Sequence, residues 1–496
     1  MILKNLIKNY RLFPKKVAIQ DEKISINYEQ LLNHTFQTLE YLEKKGIKKS
    51  SKVLVLMDNS VEFAVLFICS LAMRFTIIPI NNFDTQNLNS LVKELKIKFI
   101  VSKKEFKPIL NKQKRKIIFI KFKEVNNEIY FKNIYKEEYF YNEKKFDYII
   151  SFSSGSTGEP KKIVLSEEVK YNRAKQTINY YNLTSKDNFL ICTPFQYTLA
   201  QRVLHISLIL GAKLTISNFF TPASFSYLIK KNKITFVMMI SFQINRLIES
   251  TIFNRKKNFK SLRHLICSSD TLSLKNKFYL IKNLKCDTHE IFGMAELGVI
   301  SNLNLKKDKN KLNSVGKILH DTKVKIVNKQ KNEKIEGEIT CLSPRIFDAY
   351  LKKKTIKSKK NSFFKTGDIG YLDKKNFLYF CGRKKNVIKV SGTSIYPQSI
   401  EKVILRLSDV KECKVIGIPN SMFGEIIVAL VQKKTHKKIN ESQIRDFCRK
   451  NLPEILQPRV IKFISKFPKN NMGKVLIEKL KDNFKGVKLD EKFNLS

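Results

Sequence analysis

The residues best suited to chemistry are bunched in the run Ser153-Ser154-Gly155-Ser156-Thr157-Gly158-Glu159-Pro160-Lys161-Lys162. They follow the apolar triplet Tyr148-Ile149-Ile150, so the run reads as a loop leaving the end of a strand. Small hydroxyl side chains and glycines let backbone N–H groups close on a polyphosphate, and Lys161 adds positive charge. The spacing is not that of a Walker loop, because Pro160 stands where the second glycine would precede Lys161. Ordinary turns are also rich in Ser, Thr and Gly, so this run alone does not define a site. Four further segments follow: Ile291-Phe292-Gly293-Met294-Ala295-Glu296, then Phe364-Lys365-Thr366-Gly367-Asp368, then Gly382-Arg383-Lys384-Lys385 with Gly392 beyond it, and Asn471-Met472-Gly473-Lys474.

In this order and at these separations, the segments resemble the adenylate-forming superfamily, which includes acyl-CoA synthetases, firefly luciferase and the adenylation domains of peptide synthetases. The resemblance begins at Ile24-Ser25-Ile26-Asn27-Tyr28-Glu29-Gln30-Leu31 and ends just beyond Lys474. It implies attack of a carboxylate on the α-phosphate of ATP with loss of pyrophosphate, followed by transfer of the acyl group to the thiol of CoA. By the same resemblance, Ser153, Ser154, Gly155, Ser156, Thr157, Gly158 and Lys161 hold the β- and γ-phosphates. Phe292, with Gly293 beside it, stacks on adenine, and Glu296 helps to hold Mg2+, for which a carboxylate is a fitting hard-oxygen ligand. Asp368 accepts hydrogen bonds from the ribose hydroxyls with Arg383 in support. Lys474 is the expected catalytic residue, its ammonium bridging the substrate carboxylate and the α-phosphate. Composition alone would class any lysine here as surface filler; its place in the Asn-Met-Gly-Lys segment argues otherwise. Lys385 occupies the interdomain hinge, and Gly392 lines the path of the thiol, where the lack of a Cβ permits close approach.

The chain departs from the family's pattern at several places. Ala295 stands where a threonine is common, Lys162 where a glycine is usual, and Gln196 or Tyr197 stands at the position of the aromatic or histidine that commonly flanks the acyl pocket. No acid follows Phe195, which argues against an α-amino acid substrate, although amino-acid adenylation stays open as an alternative. The runs Ile206–Leu210 and Phe219–Phe225 suit either plain core or the wall of an apolar pocket. The expected substrate is a small carboxylic acid, fatty or otherwise apolar. The phosphopantetheine of an acidic acyl carrier protein is the alternative acceptor to CoA. A catalytically degenerate binding protein is disfavoured, because Glu296, Asp368 and Lys474 are all present.

Composition sets the frame around these residues. A length of 496 residues calls for more than one domain. The formal charge of +50 could serve anionic partners, but the basic residues are spread along the chain and lysine far outnumbers arginine. No basic arm with interleaved aromatics is present, so a specific nucleic-acid partner is not expected. Coding bias explains the charge more simply, with attraction to an acidic carrier or peripheral contact with a lipid surface as the rival accounts. Eight scattered cysteines without a CxxC pair fit a reducing, cytoplasmic setting. The apolar window from Phe63 to Ile80 is broken by Arg74 and reads as a buried helix and strand, not a membrane span.

Short apolar runs at Lys52–Met57, Phe75–Ile80, Phe99–Ser102, Ile117–Lys121, Tyr148–Phe152, Asn188–Cys192, Lys213–Ser217, Thr235–Ile240, Leu262–Cys267 and Thr288–Phe292 read as strands alternating with helices such as Tyr28–Lys45. That alternation predicts an α/β protein whose large N-terminal domain, residues 1–384, has mixed but largely parallel sheets. The lysine- and asparagine-rich Asn304–Asn313 reads as a solvated loop. Residues 385–496 form the expected small, mobile α+β domain, with paired strands at Val410–Pro419 and Glu425–Lys433, a helix over Glu441–Asn451 and a strand at Val460–Phe467.

Overall fold

Runs of β-branched and aliphatic residues bounded by turn residues become strands buried on both faces. In the computed structural model, which describes residues 1–80, 85–102, 116–119, 145–153, 161–254, 256–328, 336–351, 356–359, 361–435, 437–469, 473 and 475–484, two compact units are distinguished. The first comprises Met1–Leu312 with Ser343–Lys360, and the second Asn313–Leu342 with Asn361–Ser496.

Two sheets build the first unit. Within this unit one has the order Gly298–Asn304, Asp287–Met294, His264–Ser268, Phe236–Ile240, Asn188–Ile191, Lys213–Ile216, Val17–Gln20, Ser25–Asn27. Its inner pairings are parallel, and its outermost ones antiparallel. The other runs Ile356–Lys357, Ala349–Leu351, Lys161–Leu165, Ile149–Ser153, Thr76–Ile80, Lys52–Leu56, Phe99–Ser102, Lys116–Phe119. Here Lys52–Leu56 is flanked by parallel neighbours, whereas the joins from Ile149–Ser153 outward to Ile356–Lys357 are antiparallel. Parallel strands covered on both sides need continuous apolar runs, and Phe236–Ile240 is buried at every residue.

The apolar window resolves into the helix Val61–Met73 and the strand Thr76–Ile80, with Arg74 in the left-handed conformation that ends the helix. Apart from Glu62, the whole helix is buried, so its uniform hydrophobicity is that of a core element. Among the described residues, no helix is long and apolar enough to cross a membrane. The helix predicted at Tyr28–Lys45 spans Tyr28–Lys44 and starts with a capping box in which Asn27 and Gln30 satisfy each other's backbone N–H.

The second unit contains an antiparallel sheet in the order Lys323–Val327, Gly337–Leu342, Phe364–Leu372, Leu378–Arg383. Nothing in the sequence reading assigned these strands. Lys323–Val327 alternates exposed lysines with partly buried aliphatics, a pattern too short and too basic to stand out in so lysine-rich a chain. Its other sheet pairs Val410–Asn420 with Gly424–Lys433 along their length, and adds Ile388–Val390, Thr393–Ile395 and Val460–Phe463. One face of that sheet packs Ile427, Ala429 and Val431 against Ile400 and Ile404 of the helix Pro397–Ile404 and Ile444 of the helix Glu441–Asn451. The opposite face buries Ile426, Val428 and Leu430 with Phe467 and Leu480.

A buried ion pair anchors the strand Asp287–Met294. Lys277, on the helix Leu274–Asn283, pairs with Glu290, and both side chains are nearly inaccessible. Glu290 also accepts the Leu272 N–H at 3.0 Å, and Lys277 donates to the Leu312 carbonyl at 2.7 Å. Burial raises the carboxyl pKa of Glu290, and the Lys277 charge pulls it back. Lys277→Met is expected to destabilise the protein by about 3–5 kcal/mol by stranding a buried carboxylate. Pairing it with Glu290→Leu should recover most of that loss in thermal unfolding; equal destabilisation by the double variant would show that the charges matter for more than each other.

Candidate active site

The first site-forming element is the strand Lys161–Leu165, where the chain returns from the hydroxyl- and glycine-rich run. Ser154, Gly155, Ser156, Thr157 and Gly158 lie outside the described residues, and of Ser153 only its place at the end of the strand Ile149–Ser153 is described. Lys161 pairs with Ser153 across the two antiparallel strands, so the run between them joins neighbouring strand ends. On the other side of Lys161–Leu165 lies Ala349–Leu351, with Tyr350 opposite Ile163.

Tyr350 brings two distant segments together. The Lys161 ammonium lies 5.5 Å from the centre of the Tyr350 ring, and the Tyr350 hydroxyl donates to Glu296 Oε1 at 3.0 Å. A lysine charge over the ring and a buried carboxylate at the hydroxyl thus meet on one tyrosine. Burial foremost, then the Glu296 charge and the hydrogen bond to it, push the Tyr350 hydroxyl well above its ordinary pKa, so it remains a donor at neutral pH. The Glu296 residue is 4% exposed.

The turn carrying Glu296 is held from behind by Arg173, itself 2% exposed and placed by the helix Glu167–Tyr180. Its Nη1 donates to the Ala295 carbonyl at 2.8 Å and its Nη2 to the Glu296 carbonyl at 2.9 Å. Both Nε and Nη2 also reach the Arg345 carbonyl, at 3.1 and 2.9 Å. The Phe347 N–H adds a second bond to the Glu296 carbonyl at 2.6 Å. Burial, reinforced by the neighbouring Arg202, lowers the Arg173 pKa to about 9, and the guanidinium is still charged at pH 7.

Phe292 and Gly293 lie at the end of Asp287–Met294, where the register with Gly298–Asn304 shifts. A Cβ on Gly293 would stand 2.2 Å from the Gly298 carbonyl oxygen, so glycine is required for the hairpin to close. Phe292 is half-buried beside it.

The segment Thr193–Tyr197, singled out as an acyl-pocket flank, is pinned by buried amides. Asn59 donates to the Thr193 carbonyl at 2.8 Å and accepts the Phe195 N–H at 2.9 Å, while Gln201 donates to the Phe195 carbonyl at 2.8 Å. Phe195 is fully buried against Phe63 and Phe67, whereas Gln196 and Tyr197 stay partly accessible. Ile206, Leu208 and Ile209 are core residues of the helix Thr198–Leu210. In the run Phe219–Phe225, Phe219 is 66% exposed, while Phe225 packs inward on Phe259.

In the second unit, Asp368 and Arg383 face each other across antiparallel strands, and Arg383 Nε lies 2.7 Å from Asp368 Oδ1. The Asp368 side chain is 3% exposed, against 35% for Arg383. Thr366 steadies the approach to Asp368: its hydroxyl accepts the Asp368 N–H at 3.0 Å and donates to the Ile339 carbonyl at 2.7 Å. Lys384 pairs with Glu338 at 2.6 Å, and Lys385 lies 3.9 Å from Glu478. Gly392 follows Ser391 in a two-residue turn joining Val390 to Thr393, with φ values of 46° and 83°. Two positive φ angles in a hairpin connection favour glycine on conformational grounds alone, a simpler demand than the close approach of a ligand. Lys474 lies outside the described residues, as do residues 470–472. Lys469 and Val475, which flank them, form a bridge, and the Leu476 N–H bonds the Pro468 carbonyl at 2.9 Å.

Sequence reasoning missed Arg173 and Tyr350. Neither lies in a motif, and their partners are 123 and 54 residues away in the chain.

The family described as AMP-binding enzyme matches residues 7–351, and the AMP-binding enzyme C-terminal domain matches residues 399–474. A 2-succinylbenzoate–CoA ligase of Listeria monocytogenes is 30% identical over 336 residues, covering 67% of this chain and 69% of the relative. A protein of the same name from Lactococcus lactis is 26% identical over 97% of this chain and all of its own length. Among solved structures, the o-succinylbenzoate CoA synthetase of Bacillus subtilis, in complex with its acyl-adenylate intermediate, matches with a TM-score of 0.84 at 22% identity, covering 96% of this chain and 98% of its own. ATP-bound MatB of Rhodopseudomonas palustris matches with a TM-score of 0.83 at 21% identity, covering 97% of this chain and 99% of its own.

Arg173→Met is expected to loosen the Glu296 turn, because the Ala295 and Arg345 carbonyls lose their bonds to the guanidinium. The cost should be about 2–4 kcal/mol, with faster hydrogen exchange at the amides of residues 295–298. Unchanged exchange there would remove Arg173 from the support of the turn.

Proposed function

Because this chain belongs to the AMP-binding enzyme family and is an AMP-forming acid–thiol ligase of the acyl-CoA synthetase kind, we propose that it activates an apolar carboxylic acid for transfer to CoA. The enzyme works with ATP, Mg2+ and CoA. The donor set fits that chemistry: Glu296 offers hard carboxylate oxygens for the metal, and Lys161 offers a cation across Tyr350 for phosphate. Bound Mg2+ supplies charge neutralisation on the phosphates. The observation that carries the reading is the Lys161–Tyr350–Glu296 arrangement at the exit of the hydroxyl- and glycine-rich run.

In the proposed first half-reaction, an oxygen of the substrate carboxylate attacks the α-phosphorus and the bond to pyrophosphate breaks. The protein's work is alignment and electrostatic stabilisation. Arg173 and Tyr350 hold Glu296 in place, the backbone of residues 153–158 cradles the β- and γ-phosphates, and Phe292 stacks on adenine beside Gly293. Asp368, oriented by Arg383, accepts from the ribose hydroxyls. Lys474 neutralises the approach of the two anions. In the second half-reaction the CoA thiol attacks the acyl carbonyl and AMP departs. We propose the junction at Lys384 and Lys385 as the hinge on which residues 385–496 turn between the two steps, with Gly392 beside the thiol.

None of Phe195, Gln196 and Tyr197 supplies a carboxylate to pair an α-amino group, which argues against an α-amino acid. The relatives' names favour 2-succinylbenzoate, an aromatic acid, over a fatty acid. Transfer to a carrier protein in place of CoA has only the basic composition in its favour.

Pyrophosphate release measured across fatty, aromatic and amino acids, with and without CoA, should respond to one apolar class and rise with CoA. A preference for 2-succinylbenzoate would settle the aromatic reading, and a response restricted to amino acids would overturn the proposal. Lys474→Ala should lower acid-dependent pyrophosphate release by about 100-fold or more while ATP affinity changes little. Release within a few-fold of the parent protein would remove Lys474 from the catalytic step.

A further inference from the structure

The strand that ends in Phe292–Met294 begins with Asp287, and its first residues face a second chemical cluster. His264 opens the neighbouring parallel strand in register with Asp287, and Ile266 is in register with His289. Residues two apart on a strand share a face, so the register places His264, Asp287 and His289 on one side of the sheet. One ligand atom from each lies within 4.8 Å of the other two. At about 3.3 Å per residue, Asp287 is roughly 23 Å from Met294, and the cluster sits at the opposite end of the strand from the turn bearing Glu296.

The orientation of His289 is fixed by hydrogen bonding. Asn302, on the adjacent antiparallel strand, gives its amide N–H to the Tyr181 hydroxyl, leaving its Oδ1 to accept from His289 Nδ1 at 2.9 Å. The proton therefore belongs on Nδ1, and Nε2 presents a lone pair. The residue is 4% exposed, and this Nε2 has no hydrogen-bond partner. The Nδ1 of His264 is likewise buried and unpartnered. Both rings pack against Tyr181, with centroids 5.4 Å and 5.0 Å away for His264 and His289. Two buried imidazole nitrogens without partners beside a carboxylate form an incomplete polar cluster, and leaving such groups unsatisfied is costly.

We propose that His264, Asp287 and His289 bind a divalent transition-metal ion of the Zn2+ class. Two imidazole nitrogens and one carboxylate oxygen suit Zn2+, Co2+ or Ni2+ over Mg2+, which takes oxygen ligands. Asn302 supplies the outer hydrogen bond that fixes a metal-ligating histidine's tautomer. Water completes the coordination, and Asp287 and His264, both partly exposed, mark the side from which the ion enters. The ion would bridge two adjacent strands at the end of the sheet remote from the nucleotide, in addition to the Mg2+ of the reaction.

The test uses untagged full-length protein, metal-stripped and titrated with Co2+ and Zn2+. One equivalent of Co2+ should bind with a visible d–d absorption, Zn2+ should displace it, and millimolar Mg2+ should not. Zn2+ should also raise the thermal midpoint, saturating at one equivalent. Asp287→Asn, at a partly exposed position, and His289→Gln should each abolish the cobalt band, and Asn302→Leu should weaken binding by about 10–100-fold. Absence of a saturable site in the parent protein, or a band that survives in a correctly folded Asp287→Asn variant, would overturn the proposal and leave the two rings as packing for Tyr181. Each readout is independent of the ligase reaction.

Discussion

A charged guanidinium buried in the larger unit imposes the constraint on which its candidate site depends. Arg173 satisfies its donors on the backbone carbonyls of Ala295, Glu296 and Arg345, with the Glu296 and Asp348 charges close enough to favour its charged form. A buried donor without an acceptor is expensive, so the carbonyls must be where the guanidinium needs them. This fixes the turn after Met294 and brings the segment of Arg345 up against it. Tyr350, five residues further on, then falls on the Glu296 carboxylate. The position of the acid is a consequence of satisfying a base.

The same economy appears in how the chain uses its charge. Most of the +50 excess is dispersed over the surface, but Lys170, Arg173, Arg202, Lys277 and Arg345 are buried. Lys277 is matched to Glu290, whereas Lys170 donates to the Gln201 carboxamide at 2.7 Å and Arg173 relies on carbonyls. Burial, with Arg173 and Arg202 beside it, pushes the Lys170 pKa well down. In the smaller unit the pairing is conventional, with Asp368 and Arg383 opposed across two strands.

Much of the architecture was legible because parallel strands write themselves as uninterrupted apolar runs. The predicted runs at Phe99–Ser102, Asn188–Cys192, Lys213–Ser217 and Thr235–Ile240 emerge as strands within a residue of their expected ends, and the helix Glu441–Asn451 emerges at its expected bounds. The strand Lys323–Val327 was not legible, since its alternation of lysine with aliphatic residues is diluted by lysine everywhere else, and its partners Gly337–Leu342, Phe364–Leu372 and Leu378–Arg383 each include glycine and polar or charged residues in place of an unbroken apolar run. Gly392 was legible as a required glycine, but two positive φ angles in a hairpin supply a reason that the motif did not reveal.

The sequence by itself determined the family resemblance, the α/β class and the order of the chemical groups along the chain, because those reside in local spacing and local hydrophobic period. Tertiary structure decided which groups meet. Arg173 and Glu296 lie 123 residues apart, and Tyr350 and Glu296 54 apart, so no local pattern records either contact. The closeness of His264 and His289, with ring centroids 6.0 Å apart, likewise follows from the register of two parallel strands joined through a helix. Strand register and helix packing are fixed by the burial of apolar faces across the whole unit, and polar groups meet where that burial leaves them.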